Sequence, residues 1–189
     1  MRILVDMDAV IAHWGAEFDR CLDAFKDEAA NIPRTKDQPD WDLNLNRTPR
    51  EKVIIKAIMQ EAGFYQRLEP IRGAKTALKN AVKAGHDVRI VSAPYVSNPT
   101  CASDKLNWIV RHYGSHWASR LVLTNDKTIV HGDYLIDDKP TITGSMDPKW
   151  THVVFGEYSY NRNSPAELRI PAWEADTLLT LASLEKVPA

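Results

Sequence analysis

Ile3-Leu4-Val5 is apolar at every position and runs straight into Asp6-Met7-Asp8. A strand with one wet face alternates apolar and polar residues. A strand covered on both faces does not, and continuous runs of this kind mark a buried parallel sheet. Four further runs read in much the same way. Val88-Arg89-Ile90-Val91 ends in Ser92-Ala93-Pro94, Leu121-Val122-Leu123 ends at Thr124, Tyr134-Leu135-Ile136 ends in Asp137-Asp138, and Val153-Val154-Phe155 is the fifth. Helical patterns separate them. Trp14, Phe18, Cys21, Leu22 and Phe25 fall on one helix face. Thr48, Pro49 and Glu51 form a capping box with proline at the first helical position, ahead of Val53, Ile54, Ala57 and Ile58. Ala74, Ala77, Leu78, Ala81 and Val82 make a helix closed by Gly85; Leu106, Ile109, Val110 and Tyr113 make another, stopped by Gly114. Leu178, Leu179 and Ala182 suggest a C-terminal helix. Strands alternating with helices imply an α/β fold with a parallel sheet and right-handed crossovers.

One connection is too long. About 80 residues separate the first two strands, where a crossover needs about 25 to 30. The helix at 74–84 suffices for that crossover. The expected division is therefore a core of residues 1–12 and 73–189 and a small helical cap of residues 13–72, inserted after strand 1. Such an insertion leaves from the sheet edge at which open α/β sheets bind ligands.

Composition narrows the function. Lys plus Arg total 24 and Asp plus Glu total 25, a formal net charge of −1, which argues against polymeric nucleic acid as a partner. No apolar run is long enough for a membrane helix, and Asp6 and Asp8 interrupt the N-terminal run too early for a signal peptide. Two cysteines, Cys21 and Cys101, make no disulfide framework or zinc spacing; they read as core residues in a reduced, cytoplasmic compartment.

The strand ends carry the chemistry. In a parallel sheet the C-terminal ends lie side by side, so Asp6, Asp8, Ser92, Lys127, Asp137 and Asp138 would converge. Crowded carboxylates need a counter-charge, and a hard divalent ion with oxygen ligands supplies one; Mg²⁺ suits a few carboxylates plus waters and a phosphate better than Ca²⁺ does. No His or Cys stands at these ends to favour zinc. Each element alone is an ordinary turn, cap or surface residue; the ordered set is what carries weight.

That set, Asp6-Met7-Asp8-Ala9-Val10, Val91-Ser92-Ala93-Pro94, Lys127 and Ile136-Asp137-Asp138-Lys139-Pro140, resembles the four motifs of the haloacid dehalogenase-like phosphatases. Leu123-Thr124-Asn125-Asp126-Lys127-Thr128, Gly132-Asp133-Tyr134, Gly63-Phe64-Tyr65, Leu68-Glu69-Pro70-Ile71-Arg72-Gly73-Ala74, Asn107-Trp108 and Tyr160-Asn161-Arg162 are similar to the 5′(3′)-deoxyribonucleotidase family within it. The resemblance implies a Rossmann-like, haloacid dehalogenase-like sheet and a Mg²⁺-dependent phosphatase of deoxyribonucleoside monophosphates. It implies Asp6 as nucleophile, forming an aspartyl-phosphate, and Asp8 as general acid and base. It implies Mg²⁺ held by Asp6, Asp138 and the carbonyl of Asp8. Phosphate would be bound by Ser92, the Ala93 amide and Lys127, with Asp137 orienting that lysine or a water on the metal.

Two positions depart from the family pattern. Ala9 stands where glycine is usual, tolerable if φ stays negative, and Asn125 stands where relatives can carry arginine near the phosphate. Trp14, Phe64 and Trp41 are the expected base- or sugar-stacking residues, each with core packing as the alternative. The expected partner is a small nucleotide substrate, with no membrane; a homodimer is left open. Two rival readings stand beside this one: a phosphatase of another small phosphate ester, and a weakly active binding or regulatory homologue.

Overall fold

The computed structural model describes residues 1–184. Six parallel strands form one sheet: β1 (Arg2–Val5), β2 (Asp87–Ser92), β3 (Leu121–Leu123), β4 (Tyr134–Asp137), β5 (Thr151–Phe155) and β6 (Leu168–Ile170), in the order β3-β2-β1-β4-β5-β6. The chain steps outward from β1 in one direction through β2 and β3, then returns to the other side of β1 for β4, β5 and β6. The reversal lies between β1 and β4, where Val5 pairs with Ile136. Such a switch point opens a crevice at the strand ends, and Asp6 and Asp137 are the next residues on either side of it.

The five expected strands are present. The sixth departs from expectation: it is only three residues long, carries Arg169 at its centre and lies at the sheet edge, so it lacks an apolar run. Alternation along the strands separates two packed regions. Ile3, Val5, Val88, Ile90 and Ile136 join the large core, whereas Leu4, Val91 and Leu135 pack with Trp150 in a smaller cluster.

The helices are α1 (Trp14–Leu22), α2 (Pro49–Gln60), α3 (Ala74–Lys83), α4 (Cys101–Tyr113) and α5 (Thr177–Ser183). The stripe that reads as one helix to Phe25 is broken: α1 ends at Leu22 and a kinked 3-10 segment, Asp23–Ala29, follows. At α2 the capping box forms as its residues dictate, with the Thr48 hydroxyl accepting from the Glu51 amide and the Glu51 carboxylate accepting from the Thr48 amide at 2.7 Å. Gly73, at φ 87°, starts α3 against Trp173, where a Cβ would lie 2.4 Å from the Trp173 carbonyl oxygen; only glycine fits. Among the described residues no helix is long and apolar enough to cross a membrane.

The segment between β1 and α3 leaves and returns through one neck. The His13 amide donates to the Glu69 carbonyl at 2.7 Å and the Ile71 amide to the Ile11 carbonyl at 2.9 Å. Beyond the neck, Phe18, Leu22, Ile54, Ile55 and Ile58 are buried in the same hydrophobic cluster as the strands and α3. Insertion and sheet therefore share one core.

Candidate active site

Asp6 follows β1 directly, and its amide continues the sheet ladder by donating to the Ile136 carbonyl at 2.9 Å. Its side chain is thereby fixed at the switch point. Lys127, in a one-turn 3-10 segment after β3, sits between two carboxylates: its Nζ is 2.7 Å from Asp6 Oδ1 and 2.6 Å from Asp137 Oδ2. The turn before it is held by Asp126, whose carboxylate accepts from the Thr128 amide at 2.9 Å and the Ser145 amide at 2.8 Å. Asp137 is fully engaged, because its second oxygen accepts from the Lys139 amide at 3.0 Å. Asp138 accepts from the Tyr160 hydroxyl at 2.8 Å, and Asn161 donates to the Asp138 carbonyl at 2.9 Å.

Asp8 lies in a tight turn, Met7 to Ala12, in which the Ile11 and Ala12 amides both donate to the Met7 carbonyl at 2.9 Å. Tyr158 and Trp173 fasten this turn from outside, donating to the carbonyls of Ala9 and Val10 at 2.7 Å each. Within it Ala9 adopts φ 57°. The expectation that φ stays negative fails: the turn needs a left-handed residue, and the methyl group is strained there by about 1–2 kcal/mol.

Asp6, Asp137 and Asp138 each offer an oxygen within 4.8 Å of the others. Burial drives the Asp6 carboxyl up to about 6, against the pull of Lys127 and with a further push from Asp137 and Asp8. Burial, then Asp137 and Asp6, raise Asp138 well above the carboxylate range. For Lys127 burial works the other way, but Asp137 and Asp6 outweigh it and its net shift is upward. Four carboxyl groups, Asp6, Asp8, Asp137 and Asp138, face two ammonium groups, Lys127 and Lys105, each paired with at least one of the four. With all four ionised the set would carry two net negative charges, which a divalent cation would balance. Asp6, Asp137 and Asp138 could each offer an oxygen to such an ion; Asp137 already accepts one hydrogen bond on each oxygen, from Lys127 and from the Lys139 amide. The residues fit such an ion.

A cavity of about 620 Å³ rises from this floor. Ser92, Ala93 and Asn125 line its base, and Trp14, Trp41, Tyr65, Tyr158 and Tyr160 its walls. Trp14 stacks on Phe18 at 4.9 Å between ring centroids. Trp41, 46% exposed, stands at the mouth with Lys139 Nζ 4.2 Å from its ring centre. Phe64 is placed differently from expectation. It is wholly buried behind Trp14, edge-on at 5.8 Å, and the pocket is lined instead by its neighbour Tyr65.

Sequence reasoning missed Lys105. It is 0% exposed, on α4, and its Nζ donates to Asp8 Oδ2 at 2.5 Å and to Ser92 Oγ at 2.8 Å. The signal was its position: Cys101, Lys105, Trp108 and Ile109 share the buried face of α4, and a lysine on an apolar helix face needs a partner.

Residues 1–184 match the family described as "5' nucleotidase, deoxy (Pyrimidine), cytosolic type C protein". A Bordetella bronchiseptica protein provisionally named a 5′(3′)-deoxyribonucleotidase is 36% identical over 172 residues, covering 90% of each chain. The human cytosolic-type 5′(3′)-deoxyribonucleotidase is 32% identical over 180 residues, 92% of this chain and 89% of its own. In three dimensions a hydrolase from Pseudomonas syringae superposes with a TM-score of 0.52 at 13% identity, over 98% of this chain and 100% of that one.

Proposed function

Because the chain belongs to the 5′(3′)-deoxyribonucleotidase family of haloacid dehalogenase-like phosphatases, we propose that it hydrolyses deoxyribonucleoside monophosphates to deoxynucleoside and phosphate. The observation that carries this reading is the single cavity joining an acidic, lysine-bearing floor to aromatic walls. Its volume suits a nucleotide-sized ligand.

In the proposed mechanism Asp6 attacks phosphorus, forming the aspartyl-phosphate bond as the bond from phosphorus to the sugar oxygen breaks. Asp8 gives a proton to the departing oxygen, then takes one from the water that cleaves the aspartyl-phosphate. The Ser92 hydroxyl and the Ala93 amide donate to phosphate oxygens. Lys127 neutralises phosphoryl charge and keeps Asp6 aimed, and Asp137 holds Lys127 in place. Mg²⁺, when bound by Asp6, Asp138 and the Asp8 carbonyl, would supply Lewis-acid stabilisation of the phosphoryl charge. Trp14, Tyr65 and Trp41 would flank the nucleoside. The domain division at 12/13 and 72/73 is supported by the hydrogen-bonded neck. Free, buried Cys21 and Cys101 favour a reduced, cytoplasmic setting.

The test is turnover of dUMP against UMP with Mg²⁺, well below KM. A 2′-hydroxyl buried without a partner costs about 1–3 kcal/mol, so the deoxy substrate should be favoured roughly 5- to 150-fold. Equal rates, or faster hydrolysis of a sugar phosphate, would refute the substrate class.

A further inference from the structure

The phosphatase reading uses Asp8 for two proton transfers, and a carboxylate has two oxygens with which to make them. Their surroundings differ. Asp8 Oδ2 is bound at 2.5 Å by Lys105 Nζ, while Oδ1 is buried and has no hydrogen-bond partner. The same ammonium donates to Ser92 Oγ at 2.8 Å and lies 5.0 Å from the centre of the Tyr65 ring. Lys105 can only donate. Ser92 Oγ therefore serves Lys105 as an acceptor, and its own proton is turned elsewhere.

We propose that Lys105 is a positioning residue for Asp8. By anchoring Oδ2 it fixes the carboxyl group that passes a proton to the sugar oxygen and later takes one from water. Through the same ammonium it directs the Ser92 hydroxyl proton towards the phosphate. No bond to Lys105 is made or broken; the proton moves between the Asp8 carboxyl, the leaving oxygen and water. Its place on the rigid α4, with Trp108 and Ile109 packed beside it, makes the anchor independent of the turn that carries Asp8. The inference rests on the acid/base role proposed for Asp8.

A residue that acts through proton donation should matter most when the leaving group needs a proton. A nucleoside departs as an alkoxide unless protonated, whereas p-nitrophenol leaves readily as the anion. The experiment compares kcat/KM for dUMP and p-nitrophenyl phosphate in the full chain with Mg²⁺, for wild type, Lys105→Met, Asp8→Asn and the double variant. Lys105→Met should lower kcat/KM about 100-fold for dUMP and less than about tenfold for the aryl ester. On the Asp8→Asn background it should lower dUMP turnover by no more than it lowers turnover of the aryl ester, because only its contact to Ser92 is left to lose. Equal falls on both esters, or a full additional loss in the double variant, would overturn the inference, since a purely structural lysine would act alike on both. If Lys105→Met does not fold, Lys105→Leu, which likewise has no donor, is compared in the same way and should give the same ratio. A wild type that ignores nucleotides but cleaves another alkyl phosphate would remove the substrate reading alone; the alkyl-to-aryl comparison would then be made on that ester.

Discussion

Replacing Asp6 with asparagine should stabilise the metal-free protein while disabling it. The carboxyl is buried at the switch point, and burial lifts it from an ordinary value of 3.8 to about 6. Between those values the folded chain keeps a proton that the unfolded chain has released. Folding is therefore favoured less as pH rises through that window, and the loss persists above it. At about 1.4 kcal/mol per pH unit the interval amounts to about 3 kcal/mol. Asparagine has nearly the same shape and no charge to bury, so it escapes the penalty. In chelator, urea titrations should find Asp6→Asn about 3 kcal/mol more stable than wild type near pH 7 and nearly equal to it near pH 4. Adding Mg²⁺ should close the gap by stabilising wild type in proportion to occupancy. Phosphate release by the variant should fall by at least about three orders of magnitude. A variant no more stable than wild type near neutral pH, or a difference that does not vary with pH, would refute the claim that carboxylate burial strains this site.

Three other expectations follow from the geometry. Ala9→Gly should stay within about 1 kcal/mol of wild type in thermal melts, as relief of the left-handed strain offsets the greater entropy of unfolded glycine, whereas Ala9→Val should lose about 2 kcal/mol or more. Phe64→Ala should lower stability by about 3–5 kcal/mol as a core truncation, while Trp41→Ala should leave stability within about 1 kcal/mol and raise KM for dUMP more than for an aryl phosphate. Activity should vanish in chelator and return with Mg²⁺, and Ca²⁺ should support little turnover, because its larger shell can draw both Asp6 oxygens into coordination; full activity in excess chelator would count against a metal.

The legible parts of this molecule were those dictated by local chemistry. Apolar runs, the Thr48 capping box and the glycine stops at Gly85 and Gly114 each act within a few residues, and the acidic strand ends followed once the strands were in register. What escaped depended on neighbours distant in sequence. Lys105 looks like any helical lysine until α4 is laid against the sheet and its apolar face turned inward. Between adjacent aromatics Phe64 and Tyr65, composition does not decide which faces the cavity; in the fold Phe64 packs edge-on behind Trp14 and Tyr65 lines the pocket. The sign of φ at Ala9 is set by a turn closed by Tyr158 and Trp173, about 150 residues away. Strand β6 is held by its partner β5 and by Arg169, which donates to the Asn161 carbonyl at 2.8 Å, rather than by its own pattern.

The shared core bears on how a substrate gains entry. In a molecule whose insertion had its own core, the whole unit could swing away on its neck. Here one continuous apolar cluster runs from Phe18 and Ile54 to Ile3 and Val5, so such a rotation would have to cut it, and each side chain of this size brought fully into water costs about 1.5–3 kcal/mol. A few such exposures rival the stability of an entire domain. Local movement of the polar turns around Trp41 avoids that cost. There Asp40 and Asp42 hold only the amides two residues on, at 2.9 Å, and Ser159 donates to the Gln38 carbonyl at 2.6 Å. Apart from the bond to the buried Gln38, these hydrogen bonds lie at the surface, and breaking them leaves the apolar cluster whole.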